Sequence, residues 1–378
     1  MRPSINAAFD SGNIEVVAQT GPAAFDLTIR KDHQSDFYQW FHFRLSGAAG
    51  HSCTLRIVNA GGAAYPYAWA GYRACYSEDR QTWTRLETHY ADGVLTINVT
   101  PTLNAGWIAY FAPYSMERHH DLIARMAVRP GVTLSVLGET LDGQPLDCLS
   151  ITDAETPARK LWLIARQHPG ETMAEWWMEG LLERLTDPAD ALARKLRRQH
   201  VFHIVPNMNP DGSRRGHLRT NAVGTNLNRE WQTPTLERSP EVYRVLEAMH
   251  RTGVDFCLDV HGDEALPHNF IAGFEGIPSI TDHQLSLLAR YKAALAALNP
   301  DFQTRIGYEI AKPGAANMTM CTNAVAEAFG CLAMTLEMPF KDADDNPDPI
   351  HGWSPERSKH LGRSCLDALA AVIDDLRA

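Results

Sequence analysis

Leu161-Trp162-Leu163-Ile164-Ala165-Arg166-Gln167-His168-Pro169-Gly170-Glu171 is an apolar run that ends in a histidine and a carboxylate three residues apart. The run has the length of a buried strand, and residues 171–184 that follow read as a helix. A strand that feeds a helix exposes side chains in the cleft where the two meet. His168 and Glu171 at this spacing can both reach one Zn²⁺, because zinc takes imidazole nitrogen and carboxylate oxygen in a tetrahedral shell.

Working outward, the same texture repeats towards the C-terminus. Strands are predicted over residues 132–137, 160–166, 201–205, 254–260 and 331–337, and helices over 171–184, 240–251, 281–297 and 355–376. Near-continuous apolar strands alternating with helices predict an α/β sheet covered on both faces. Residues 1–113 differ. Short runs rich in β-branched and aromatic residues, at 14–19, 25–30, 37–45, 53–59, 94–99 and 107–111, are separated by Gly, Pro and Asp. They predict an antiparallel β-sandwich domain ahead of a second domain at 114–378. His168, Asn207 to Asp211, His261 and Glu337 all fall at or just beyond strand ends, where α/β folds place their active sites.

The chain has 378 residues and a net charge of -10, which fits two domains and disfavours a nucleic-acid partner. No stretch of about 18 apolar residues is present, so no membrane span is expected. The N-terminus lacks the apolar core of a signal peptide. The seven cysteines (Cys53, Cys75, Cys148, Cys257, Cys321, Cys331 and Cys365) are odd in number and form no CxxC pair. They are expected to be reduced thiols in a cytoplasmic protein. Association with further copies of the chain is left open.

Four groups of chemistry-bearing residues stand at strand ends: His168 with Glu171; Asn209-Pro210-Asp211-Gly212 followed by Arg219 and Asn228-Arg229; Asp259-Val260-His261-Gly262; and Thr335-Leu336-Glu337. In this order they resemble the M14 zinc carboxypeptidases. The nearest branch resembles the cytosolic carboxypeptidases, which place a β-sandwich before the catalytic domain. Phe111 to Arg118 is similar to the junction segment of that branch. The resemblance implies a mixed α/β sheet covered by helices on both faces, and one zinc per chain held by His168, Glu171 and His261. Three protein ligands leave a fourth position for water, the catalytic rather than the structural arrangement. Glu337 then resembles the general base that takes a proton from zinc-bound water and delivers it to the leaving amine. Arg219 resembles the arginine that stabilises the oxyanion. Asn228 and Arg229 resemble the clamp on the substrate's terminal carboxylate, a task suited to a planar guanidinium.

Some residues are open to more than one reading. Asp259 shares a strand face with His261, and either orients that ligand or is a buried structural carboxylate. Asn209 and Asp211 are read as turn-shaping. Asp263, Glu264 and His268 crowd the same loop and could line the pocket mouth, without an assigned role. The digestive branch carries a mobile tyrosine before the base, yet residues 311–333 contain none, and Tyr308 is the nearest. Thr322 stands where glutamate-removing relatives carry a basic residue; Lys312 and Arg305 are near it in sequence.

The expected function is therefore a zinc metallocarboxypeptidase that hydrolyses the C-terminal bond of peptides or protein tails. The runner-up is a zinc amidohydrolase that deacylates small N-acyl amino acids, since both substrates offer an amide beside a carboxylate. A non-catalytic peptide-binding protein is disfavoured by the intact ligand and base positions. Tyr65, Tyr67, Trp69 and Tyr72 could form a recognition face or core; packing against the catalytic domain and limiting access to its cleft is the favoured role.

Overall fold

Alternation of buried and exposed residues in the first third builds two five-stranded sheets. The chain, described here over residues 2–376 of a computed structural model, forms β1 (Ser4–Asn6), β2 (Glu15–Gly21), β3 (Ala24–Thr28), β4 (His42–Ser46), β5 (Cys53–Ile57), β6 (Cys75–Ser77), β7 (Thr84–Arg85), β8 (Glu87–Ala91), β9 (Val94–Val99) and β10 (Ala105–Ala109). The strand orders are β1-β4-β10-β6-β7 and β2-β3-β5-β9-β8. Pairing is antiparallel except between β3 and β5. Every second residue points inward: Phe25 and Leu27, Leu55 and Ile57, Leu95 and Ile97 from one sheet, Phe43, Leu45 and Ile108 from the other, all buried in a common core.

After helix α1 (Met116–Ala127), capped by Ser115, the chain builds one large sheet. Its strands are β11 (Val132–Glu139), β12 (Pro145–Ile151), β13 (Lys160–Ala165), β14 (Val201–Val205), β15 (Phe256–Asp263), β16 (Phe270–Ala272) and β17 (Leu332–Pro339), in the order β11-β12-β14-β13-β15-β17-β16. The central four strands are parallel and the outer ones antiparallel, so the sheet is mixed. Every residue of β15 and β17 is buried, as strands covered on both faces must be.

The helices are α2 (Met173–Leu185), α3 (Ala191–Gln199), α4 (Pro210–Arg215), α5 (Pro240–Thr252), α6 (Asp282–Leu298), α7 (Cys321–Phe329) and α8 (Pro355–Ala370). Gly180 and Gly362 let α2 and α8 touch backbone to backbone. A Cβ at Gly180 would stand 2.2 Å from the Lys359 carbonyl oxygen, and one at Gly362 would stand 2.2 Å from that of Trp177. The predicted helix 355–376 is shorter in fact, ending at Ala370 before a 3-10 turn over Ile373–Asp375. Among the elements after residue 113, α1, α3, α4, α7, β12 and β16 were not read from the sequence. α3 and α7 are only nine residues each, too short for a periodic pattern to stand out.

Candidate active site

Strand ends place each metal-ligand candidate. β13 stops at Ala165, and Arg166 turns the chain with a φ of 60°, a left-handed conformation that costs a residue with a side chain about 1–3 kcal/mol. The buried Arg166 side chain secures its own turn. Its Nε donates to Pro169 O at 3.0 Å, and its Nη1 to Tyr114 O at 2.8 Å and Glu175 Oε2 at 2.6 Å. Glu175 Oε1 then meets His119 Nδ1 at 2.6 Å, which ties the loop 166–171 to both α1 and α2. His119, His120 and Asp147 also have convergent donor atoms. There, however, His119 is engaged between Glu175 and, at 3.4 Å, Asp147; against burial, these carboxylates raise its pKa to about 9.

His168 Nδ1 lies 2.7 Å from Glu171 Oε1, His261 Nδ1 lies 2.7 Å from Glu171 Oε2, and the two Nδ1 atoms are 3.2 Å apart. The far nitrogens fix the tautomers. His168 Nε2 meets Asn226 Oδ1 at 3.0 Å, and that oxygen also accepts the Asn228 N–H at 3.1 Å, so it is an acceptor. His261 Nε2 meets Asp259 Oδ2 at 2.9 Å, and Gln167 Nε2 donates to the same oxygen at 2.6 Å. With both Nε2 protons committed outward, each Nδ1 can turn a lone pair inward. Two imidazole nitrogens and a carboxylate then converge within 4.8 Å. Such a set of acceptors repels itself unless a cation sits among them, and its donor chemistry fits zinc. The electrostatics agree. Against burial, Asp259 and Glu171 raise the His261 pKa well above the usual range, so positive charge is favoured at this point. Burial and Arg219 hold His168 down at about 4.

Sheet register brings Glu337 to the same place. β15 and β17 pair in parallel with His261 opposite Glu337. Glu337 is buried and its Oε2 has no hydrogen-bond partner among the described residues. Burial, opposed by His261, lifts its pKa well above the carboxyl range and so strengthens it as a proton acceptor.

Arg219 is set by a contact from the N-terminal part. The buried Asp32 carboxylate accepts the backbone N–H groups of Leu218 (2.7 Å), Arg219 (2.8 Å) and Thr220 (2.9 Å), and the Thr220 hydroxyl at 3.0 Å. The guanidinium then lies 5.6 Å from the Phe37 ring centre and 5.8 Å from that of Tyr65. Asn228 Oδ1 accepts the Cys321 N–H at the start of α7, 2.8 Å away. Burial and the charge of Arg219 both disfavour the Arg229 guanidinium. Neither arginine has an ion-pair partner among the described residues, so the pair presents unmet demand for an anion.

These side chains share a cleft of about 350 Å³. Its walls also carry Asp263 and Glu264, expected at the pocket mouth, Tyr65 and Tyr67, from the aromatic group expected to limit access to the cleft, and Ala265, Tyr308 and Met320, which the sequence reading did not bring to the site. Tyr308 comes in because its hydroxyl donates to Asp263 Oδ2 at 2.6 Å. The doublet Asp263-Glu264 directly after His261-Gly262 was the available signal for that wall. Trp69 and Tyr72 are core, whereas Tyr65 and Tyr67 reach the cleft. Thr322 is buried and bonded to Thr335 at 2.6 Å, away from the cleft lining. Arg305 pairs with Asp345 at 2.6 Å beside a neighbouring cavity of about 450 Å³ that shares Tyr308 and Met320 with the cleft; Lys312 lines neither space. Asp211 is used structurally, accepting from the Thr140 hydroxyl at 2.6 Å, and Asn209 caps α4. His268 pairs with Asp345 at 2.7 Å.

Residues 5–111 match the cytosolic carboxypeptidase N-terminal domain, and residues 120–346 match the zinc carboxypeptidase family. An uncharacterized protein of Zymomonas mobilis is 60% identical over 376 residues, covering 100% of this chain and 98% of that one. A metallo-carboxypeptidase from Pseudomonas aeruginosa, solved in complex with (2-guanidinoethylmercapto)succinic acid, superposes with a TM-score of 0.96 at 46% identity, covering 99% of this chain and 100% of that one. Cytosolic carboxypeptidase 1 of Xenopus laevis is 29% identical over 321 residues, 71% of this chain but only 26% of that larger protein. The chain belongs to the M14 zinc carboxypeptidase family, as a carboxypeptidase hydrolase whose catalytic part follows a cytosolic carboxypeptidase N-terminal domain.

Proposed function

We propose that the protein removes C-terminal amino acids from peptides or protein tails. The observation that carries this reading is the convergence of the His168, Glu171 and His261 ligand atoms beside a Glu337 whose Oε2 has no hydrogen-bond partner, and two arginines without an ion pair, among the described residues. His168, Glu171 and His261 hold one zinc, which when bound polarises the scissile carbonyl and acidifies water. Asn228 and Arg229 fix the terminal carboxylate, and so choose the last peptide bond. The succinic acid derivative in the Pseudomonas relative fits a cleft that reads carboxylates. Glu337 takes a proton from the attacking water and returns it to the departing amine as the C–N bond breaks. Arg219 faces the negative charge that develops on the carbonyl oxygen. Asp259 and Asn226 hold the two ligand imidazoles in register.

The boundary between the two parts is placed at residues 113 and 114, after the last N-terminal strand and before α1. The cytoplasm is the proposed compartment, on the strength of seven buried free thiols and of the relatives' names. No helix among the described residues is long and apolar enough to cross a membrane.

The test is Glu337→Gln. Zinc content should stay at one per chain by mass spectrometry, while release of C-terminal residues falls by about 10²–10⁴-fold. A variant with wild-type turnover would overturn the assignment of the base, and purified protein that binds no zinc would overturn that of the ligands.

A further inference from the structure

The turn that carries His168 and Glu171 is braced by a line of buried charges that the reaction does not use. Arg166, held at a φ of 60°, is the member nearest the ligands. Its Nε donates to Pro169 O, inside the turn, at 3.0 Å, and its Nη1 donates to Glu175 Oε2 on α2 at 2.6 Å. Glu175 Oε1 lies 2.6 Å from His119 Nδ1 on α1, and His119 Nε2 lies 3.4 Å from Asp147 Oδ2 on β12. Cation and carboxylate alternate along the line, and all four side chains are buried. A buried charge is costly unless its neighbours compensate it, so no member can leave without disturbing the next.

His119 is the member whose charge depends on the others. Against burial, Glu175 and Asp147 raise its pKa to about 9, so at neutral pH the ring is protonated and both nitrogens donate. A protonated ring has no lone pair for an ion, which makes this cluster a brace rather than a second metal site. Glu175 is shared between the two cations, with Oε1 on His119 and Oε2 on Arg166; Oε2 also accepts from Asn207 Nδ2 at 3.3 Å. Without the His119 ring, Oε1 loses the one donor it has among the described residues, and a buried carboxylate oxygen left unserved is unfavourable. The carboxylate then turns towards the donors that remain. Arg166, which grips Pro169 between His168 and Glu171, turns with it.

We propose that His119, acting through Glu175 and Arg166, is a positioning residue for the metal: from α1 it sets how tightly the turn 166–171 holds zinc. This rests on the zinc carboxypeptidase reading and deepens it. The same segment of chain supplies a second hold, since Tyr114 O accepts from Arg166 Nη1 at 2.8 Å. The stretch that joins the two parts of the chain therefore acts on the metal site without contributing a ligand to it.

The experiment measures the zinc Kd of the full chain at neutral pH by competition with a chelating dye, on protein shown to be folded by circular dichroism. Groups that orient metal ligands typically change metal affinity by about 10- to 100-fold, and His119→Ala should weaken zinc by that factor. His119→Gln keeps a donor for Glu175 without the charge and should recover part of the loss; it decides the matter if His119→Ala does not fold. Leu27→Ala opens a cavity in the N-terminal core away from the line, and should keep its zinc Kd within about threefold of wild type. The visible spectrum of the cobalt-loaded protein, which reports ligand geometry, should shift in the His119 variants and not in Leu27→Ala. Adding His119→Ala to Glu175→Gln should change the Kd by less than about threefold, because the line is already cut. His119 variants that hold zinc as tightly as wild type overturn the proposal and leave the carboxypeptidase reading in place. An equal loss in Leu27→Ala, or a full further loss in the double variant, also overturns it. Wild type that binds no zinc overturns both the proposal and the ligand assignment beneath it.

Discussion

Asp32 lies in the N-terminal part, yet the structure makes it a determinant of catalysis. Its carboxylate gathers three consecutive backbone N–H groups, from Leu218 to Thr220, and the Thr220 hydroxyl, all at 2.7–3.0 Å. Asp32→Ala leaves four buried donors unserved. Hydrogen bonds to a charged group are worth about 1.5–3 kcal/mol each, but four bonds to one carboxylate do not add, and water can re-enter. A loss of about 3–5 kcal/mol is expected, a large part of the stability of an ordinary domain. The same change frees the backbone of Arg219, and a shift of about 1 Å in a catalytic group costs roughly 10²-fold in rate. Asp32→Asn keeps the size and one acceptor but turns an amide against backbone N–H groups, so it should fall between. Urea unfolding and kcat/KM on a peptide substrate, measured on both variants, test this. If Asp32→Ala unfolds within about 1 kcal/mol of wild type and keeps its kcat/KM, the cradle does not position Arg219 and the reasoning fails.

Two further predictions concern the scaffold. Gly180→Ala puts a methyl 2.2 Å from the Lys359 carbonyl oxygen, so α2 and α8 must separate. Overpacking of this kind costs about 1–3 kcal/mol, more than the helix propensity gained, and an unchanged or raised thermal midpoint would count against the close crossing. Glu241, in the first turn of α5, has its pKa raised from 4.5 to about 8, first by burial and then by Asp211. The native state therefore binds the extra proton between those values, and its stability falls as pH rises across the window. Glu241→Gln should flatten the decline in urea midpoint from pH 5.5 to 8, and a parallel decline in both proteins would refute the assignment.

Much of the site was legible because its chemistry sits at strand ends. The apolar run to Ala165, the residues after it, and the standing of His261 and Glu337 at the ends of apolar strands follow from local pattern and from the placement of active sites in α/β sheets; that these two strands pair with His261 opposite Glu337 does not. The seven residues named for metal, base, oxyanion and clamp all reach one cleft. The stretch Asn209 to Gly212, read as a turn, instead opens a short helix whose first turn Asn209 caps.

What only the tertiary structure decided is the company those residues keep. Asp32 and Arg219 are far apart in sequence, and so are Tyr65 and Arg219, and no periodicity links them; their contacts exist because two separately patterned parts fold against each other. Tyr308 was passed over on sequence distance, yet its bond to Asp263 carries it into the cleft. Local sequence determines which residues can bind zinc, take a proton or hold a carboxylate, because those powers belong to side chains and to the turn that displays them. Which of the remaining charges finds a partner depends on every chain segment that could supply one. Burial and pairing are properties of the assembled fold.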